Sequence, residues 1–120
     1  MRSYQVTRFD AAPTLLDEPV PTPGPGMIRV QIMACGLNFA DLLMCQGKYQ
    51  DTPEPPFTLG MEVAGVVDAL GPDTDGPAVG TRVAVFGGQG GSAAGRTRIS
   101  TSACTALGPR APNCRSSPPF

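Results

Sequence analysis

Hydrophobic and polar residues alternate along several stretches of the chain, which is typical of strands with one buried face. The clearest is MIRVQIMA at 27–34, where β-branched residues fall on one side and Arg29 and Gln31 on the other. A shorter alternating stretch predicts a strand over 4–9. We also expect a strand over 81–86 and a short one over 15–20. A valine-rich run at 59–71 predicts a further strand, bent at Gly60 and Gly65.

One segment has a helical pattern instead. Asn38 can cap a helix, the Asp41 carboxylate suits a helix N-terminus, and Gly47 can end the helix. Phe39 and Leu42 lie three residues apart within it. The pattern predicts a helix of about two turns, which can cover a barrel opening but is too short to be stable alone.

Turn signals separate these elements. PTPGPG at 21–26, PDTDGPAVG at 72–80 and GGQGG at 87–91 block both helix and strand, and TPEPPF at 52–57 is held extended by its prolines. GGQGG is either a structural turn or a phosphate-binding loop, and we favour the turn because no helical pattern follows it. Short strands with one short helix predict a mainly β fold, a small, partly open β-barrel.

Composition limits the possible partners. A chain of 120 residues with 41% hydrophobic and 16% charged residues is typical of one globular domain, and its net charge of −1 favours neither nucleic acid nor an anionic membrane surface. The longest apolar run is far shorter than the roughly 20 residues of a membrane span. The N-terminus lacks the apolar region of a secretory signal. We therefore expect a cytoplasmic protein that binds neither nucleic acid nor membranes.

The acidic residues are unevenly distributed. All ten precede Gly91, whereas residues 92–120 contain four arginines and few large apolar side chains. Such a segment cannot bury enough surface to offset its ordering entropy. We predict a folded domain over 1–91 and a disordered tail over 92–120, and one hypothesis for the tail is a frameshift near Gly91 that the coding DNA would reveal.

Histidine is absent, which excludes Ser-His-Asp and Cys-His catalysis and the commonest neutral metal ligand. The four cysteines form two pairs, Cys35 with Cys45 and Cys104 with Cys114, each with the same spacing. That spacing is compatible with a disulfide-linked helical hairpin, but Gly108, Pro109 and Pro112 interrupt the second helix. We favour reduced thiols.

Two segments, ACGLNFADLLMCQGKYQ (34–50) and PFTLGMEVAGVVDALG (56–71), resemble signature stretches of the medium-chain dehydrogenase/reductase superfamily, in its quinone oxidoreductase branch. PTPGPGMIRVQI and GTRVAVFGGQGG fit the same pattern, so the resemblance covers nearly all of residues 1–91. It implies a GroES-like barrel, incomplete at its C-terminal end.

The resemblance also implies that no catalytic zinc is bound. In zinc-dependent relatives a cysteine ligand stands at the position of Asn38, and a histidine ligand at the position of Met61. Asparagine and a methionine thioether are a poor ligand pair for zinc. Neither Cys35 nor Cys45 falls on the ligand position.

Zinc-free members of the superfamily transfer hydride from NADPH to quinones or activated alkenes. The resemblance implies that Asn38 lies beside nicotinamide and substrate, and that Tyr49 could bind a quinone oxygen through its hydroxyl. Leu43 stands where some relatives carry a second tyrosine. For Asp41 and Glu62 we expect structural roles. Helix capping by Asn38 and simple packing by Tyr49 are the plainer alternatives, and for Met61 we expect a place in the core.

The missing half of the family pattern sets the expectation for activity. Residues 92–120 are too few to encode a mononucleotide-binding half, so we expect these 120 residues to bind no NADPH and to be inactive alone. The alternatives are a non-catalytic GroES-like module that binds a partner, such as a full-length subunit or a second copy, and an arginine-tailed interaction protein.

Overall fold

The computed structural model describes residues 1–87 and 95–108. These residues form strands and turns with one α-helix and one 3₁₀ turn at Thr101–Ala103. In chain order the elements are β1 (Arg2–Val6), β2 (Thr14–Asp17), β3 (Met27–Gly36), α1 (Phe39–Cys45), β4 (Phe57–Thr58), β5 (Glu62–Leu70), β6 (Arg82–Phe86), β7 (Arg96–Ser100) and β8 (Cys104–Ala106).

The larger sheet has five antiparallel strands in the order β7-β3-β5-β6-β8. Its two edge strands follow one another directly in sequence, joined only by the 3₁₀ turn. So short a connection between opposite edges requires the sheet to curl until those edges approach at one end. The prediction of a small, partly open β-barrel with one short helix is confirmed.

Alternation along the strands places one apolar face inside the curl. Ile28 and Val30 are fully buried there, and Ile32 packs partly buried against them, as the pattern at 27–34 predicts. The barrel cluster is the set of buried residues on this inner face: Ile28, Val30, Val63, Val67, Val83, Val85 and Ile99.

A smaller sheet, in the order β2-β1-β4, lies beside the helix. The helix cluster is the second group of buried apolar residues, contributed by β1, α1, β4 and the turn before β5: Val6, Met44, Phe57, Leu59 and Met61. Strand β1 ends at Val6 rather than extending to the predicted residue 9, because the chain turns at Asp10, which has φ of 55°.

The buried side of α1 differs from what its apolar pattern suggests. Phe39 is 73% exposed and Leu42 61%, whereas Met44 and the carboxylate of Asp41 face inward. The physical reason is the partner available to Asp41, a backbone N–H of the β4–β5 turn described below, which compensates for burying the charge.

Residues 95–108 differ from the predicted disordered tail. Strand β7 pairs with β3 over five residues, and β8 pairs with β6 over three. Strands can pair through their backbones with few large side chains. From this segment Ile99 joins the barrel cluster, and Ala103 and Cys104 pack against that cluster. The remaining parts of the predicted tail, 92–94 and 109–120, and residues 88–91 of the predicted glycine turn, lie outside the described residues.

Gly65 marks the point where β5 crosses close to β3. A Cβ at this position would lie 2.1 Å from the carbonyl oxygen of Gln31 and 2.7 Å from Val30 Cγ1. The pairing register between the two strands also shifts nearby, between Ile32 and Ala34. Glycine is thus required here by close backbone approach, as the sequence suggests.

Candidate functional site

Asn38 occupies the N-cap of α1, with extended backbone angles (φ −123°, ψ 153°). Its backbone N–H donates to Oδ2 of Asp41 at 2.9 Å, and the Asp41 N–H donates to the Asn38 carbonyl at 3.0 Å. These reciprocal bonds between N-cap and third helical residue satisfy donors that a helix start otherwise leaves free. The predicted capping position of Asn38 is confirmed.

The Asn38 side chain has an unused donor. Its Nδ2 atom is buried and has no hydrogen-bond partner among the described residues. A buried unpaired donor is costly, and in native proteins such groups are few and call for an explanation. An acceptor oxygen brought to this amide would satisfy the donor.

Asp41 lies under the helix start and is 6% exposed. Besides accepting from Asn38, its carboxylate accepts through Oδ1 from the backbone N–H of Gly60 at 3.1 Å. Gly60 belongs to the turn before β5 and has φ of 101°, a left-handed conformation that favours glycine. Asp41 thereby joins the segment that carries the candidate site to the turn before β5. The sequence predicted that Asp41 lies at the helix N-terminus but not that it bonds Gly60. Gly60 lies nineteen residues away, and no local pattern relates the two positions.

Tyr49 lies beyond the other end of α1. It is partly buried and packs against the helix cluster beside Phe9 and Cys45. Its carbonyl accepts from the backbone N–H and the hydroxyl of Thr52, which fixes the turn that carries it. This packing matches the plainer interpretation of Tyr49 and leaves its assignment to a substrate pocket a prediction.

Asn38 and Tyr49 therefore flank the same short helix from opposite ends. Seven residues at the helical rise of about 1.5 Å span about 10 Å. The structure brings both residues to one element, with the helix cluster beneath it, but records no hydrogen bond between them in the described part of the chain.

Met61 and Glu62 point to different environments. Met61 is buried in the helix cluster, so its predicted place in the core is confirmed. Glu62 is partly buried, and a Cβ on Gly36 of the neighbouring strand would lie 2.5 Å from its Oε2 atom. The absent side chain at Gly36 is what gives the Glu62 carboxylate its space.

A shallow groove of about 520 Å³ crosses one end of the larger sheet. Its base consists of small side chains, with Glu62 and Phe86 beside it, and neither Asn38 nor Tyr49 lines it. Its lining residues are Ala34, Cys35, Gly36, Glu62, Val63, Ala64, Ala84, Val85, Phe86 and Thr105.

Within the described residues, Cys35, Cys45 and Cys104 are not joined by disulfide bonds. Burial raises the pKa of the Cys45 thiol, and the nearby carboxylate of Asp41 raises it further; burial alone raises the pKa of Cys104. Within residues 1–87 and 95–108, no three side chains of Cys, Asp or Glu are grouped as metal ligands.

Comparison with known proteins places this geometry in a family. Residues 24–111 match the alcohol dehydrogenase GroES-like domain. The chain belongs to this family. The match extends past residue 91 and across β7 and β8, in agreement with the strands that the structure places there.

The relatives are quinone oxidoreductase-like and VAT-1 proteins. The chain is 47% identical over 72 residues to quinone oxidoreductase-like protein 2 of Rattus norvegicus, covering 59% of this chain and 21% of that protein. It is 49% identical over 70 residues to the human synaptic vesicle membrane protein VAT-1 homolog, covering 58% and 18%. The chain spans about a fifth of the length of these relatives. Among the helices of the described residues, none has the length and apolar character needed to cross a membrane.

A solved structure supports the same assignment. The quinone oxidoreductase of Thermus thermophilus, whose structures include a complex with NADPH, superposes with a TM-score of 0.74 at 35% identity, over 90% of this chain and 32% of that one. The resemblance to the quinone oxidoreductase branch of the medium-chain dehydrogenase/reductase superfamily is thus confirmed.

Proposed function

We propose that the chain is the substrate-side domain of a zinc-independent, NADPH-dependent quinone oxidoreductase that transfers hydride to a quinone or an activated alkene. The observation that carries the proposal is the buried, unpartnered Nδ2 of Asn38 at the start of α1. Support comes from the similarity to a quinone oxidoreductase whose structures include an NADPH complex.

Asn38 is the donor in this proposal. When a quinone accepts hydride, negative charge develops on a carbonyl oxygen, and a pre-positioned N–H donor stabilises that charge. The Asn38 amide, buried at the start of α1 with no partner for its Nδ2 among the described residues, meets that requirement. NADPH, when bound, supplies the hydride, and the Asn38 amide would also hold its carboxamide.

Tyr49 is the second polar contact in the proposal. Its ring is fixed against the helix cluster, and a phenol hydroxyl can donate to the second quinone oxygen. Because a quinone or enone accepts hydride readily, the reaction does not depend on a Lewis acid. The burial of Met61 among apolar side chains is consistent with a site without zinc.

Turnover requires a nucleotide-binding unit besides the described residues. Dinucleotides bind doubly wound sheets of parallel strands. In the described residues, 1–87 and 95–108, every strand pair is antiparallel. We therefore expect the 120 residues by themselves to bind quinone weakly and not to oxidise NADPH.

The test is a quinone titration of the ¹⁵N-labelled 120-residue chain, followed by NMR. Duroquinone is the probe, because its fully substituted ring resists addition of the cysteine thiols. We expect shift changes centred on Asn38 and Tyr49, absent in Asn38→Asp, which replaces the donor by an acceptor of the same shape. Arg98→Ala, on an exposed side chain of β7, is the matched control. Changes confined to other residues, or no saturable change, would refute the proposal.

One observation favours an alternative, a non-catalytic interaction module. Leu37 is 87% exposed and, with Phe39 and Leu42, forms an apolar outer side of the helix start. Such a surface is typical of one that a partner subunit or a second copy covers. Sedimentation of the wild type and of Phe39→Ser/Leu42→Ser over a concentration series separates the two: self-association lost in the variant supports the module.

A further inference from the structure

The carboxylate of Asp41 makes one contact more than helix capping requires. Its bond to the Asn38 N–H is the ordinary reciprocal cap. Its bond to the N–H of Gly60, nineteen residues further along the chain, has no role in starting the helix. A cap could be formed by a solvent-exposed carboxylate, whereas Asp41 is 6% exposed.

The surroundings of Asp41 explain how a charge is held there. The described hydrogen bonds to its side chain come from backbone N–H groups, one from each segment, and the ion pair recorded in this part of the structure joins other residues, Arg29 and Asp68. Two N–H donors and the helix N-terminus stabilise a buried carboxylate without a cation. Both oxygens are used, so the position of each segment is fixed relative to the other.

One of the two segments carries the candidate site, and the other packs beneath the helix that it contains. One bond holds the backbone of Asn38, whose Nδ2 is buried and unpaired. The other holds Gly60, whose left-handed backbone turns the chain so that Met61 enters the helix cluster beneath α1. Moving either segment would change where the Asn38 amide points.

We propose that Asp41 is a positioning residue for the quinone site: by bonding Asn38 and Gly60 at once, it fixes the Asn38 amide in the orientation that binds a carbonyl oxygen. This inference rests on the proposed function and adds a residue to it. The positioning depends on both acceptor oxygens of the carboxylate. A side chain with only one acceptor oxygen therefore cannot position Asn38 in this way.

The experiment compares two changes at Asp41 with a control of similar destabilisation elsewhere. Asp41→Asn keeps one acceptor oxygen and turns an NH₂ group towards the second N–H. Asp41→Ser keeps a capping acceptor but is too short to reach Gly60. Val67→Ala removes side-chain volume from the barrel cluster, away from the site. All are studied as 120-residue chains, below their melting temperatures.

For both Asp41 variants we expect duroquinone to bind about tenfold more weakly, with the Kd of Val67→Ala unchanged. We also expect the side-chain NH₂ signals of Asn38 and the hydrogen exchange of the Gly60 N–H to change only in the Asp41 variants. If Asp41→Asn does not fold, Asp41→Ser decides. A Kd and Asn38 signals that match those of Val67→Ala would overturn the inference.

Failure of the proposed function is distinguishable from failure of this inference. If the wild-type chain does not bind duroquinone, the proposed function fails, and the Asn38 signals decide only whether Asp41 orients the Asn38 amide. Asn38 signals that change in Asp41→Ser and not in Val67→Ala then still support positioning. Unchanged signals overturn it.

Discussion

Substitution of Ile99 tests whether residues 95–108 are part of the barrel. Ile99 is 6% exposed and is the residue of this segment in the barrel cluster. Isoleucine to alanine removes three carbon groups, worth about 0.8 kcal/mol each by transfer from water. The cavity that remains adds to this, so we expect Ile99→Ala to lower the free energy of unfolding by about 3 kcal/mol.

The measurement is urea denaturation followed by circular dichroism, with a thermal scan as a second readout. For a domain of about 100 residues, 3 kcal/mol corresponds to a fall in melting temperature of about 15 °C. Arg98→Ala is the matched control, since Arg98 lies next to Ile99 on the exposed face of β7, and its change should stay within about 0.5 kcal/mol.

The reasoning is refuted if Ile99→Ala and Arg98→Ala have the same stability. That result would mean that the Ile99 side chain contributes nothing to the barrel cluster. A fall in the denaturant slope without a change in midpoint would also contradict it, since loss of core packing alone shifts the midpoint.

Three further outcomes are expected. Gly65→Ala should lower the free energy of unfolding in urea by about 3 kcal/mol or more, because the new Cβ would lie 2.1 Å from a backbone oxygen. Gly24→Ala is the control and should be neutral, since its Cβ would have no atom within 4 Å. Equal effects of the two changes would exclude the close approach at Gly65. Asp68→Asn should cost up to about 1 kcal/mol, since the 2.7 Å ion pair with Arg29 is partly exposed, and the cost should shrink in 1 M NaCl if charge causes it. Burial is the chief cause that raises the thiol pKa of Cys45. The rate of its alkylation by iodoacetamide should therefore rise with pH at a higher midpoint in the folded chain than in the chain unfolded in urea. A lower midpoint in the folded chain would contradict the burial.

The sequence pattern predicted those parts of the fold that depend on alternation. Ile28 and Val30 lie buried on one face because a strand repeats every two residues, and that period is visible in a single segment. The helix cap at Asn38 was likewise predicted from its own segment, and the strand pattern and the family resemblance both indicated the barrel. In both cases the decisive information is local.

The parts that could not be predicted depend on contacts between distant residues. Asp41 is buried because Gly60 presents an N–H to it, and this bond also turns Phe39 outward. Residues 96–106 contain few apolar side chains, and their order comes from backbone pairing with β3 and β6, which composition does not reveal. The roles of Asn38 and Tyr49 towards a ligand remain predictions.

The direct succession of the two edge strands has a consequence for synthesis of the chain. Strands β3, β5 and β6 are complete once Phe86 has been made, but both of their outer edges are paired by residues 96–106. While these residues are still within the ribosome, the growing chain exposes two unpaired edges together, and unpaired edges are where chains aggregate. A single short segment then protects both.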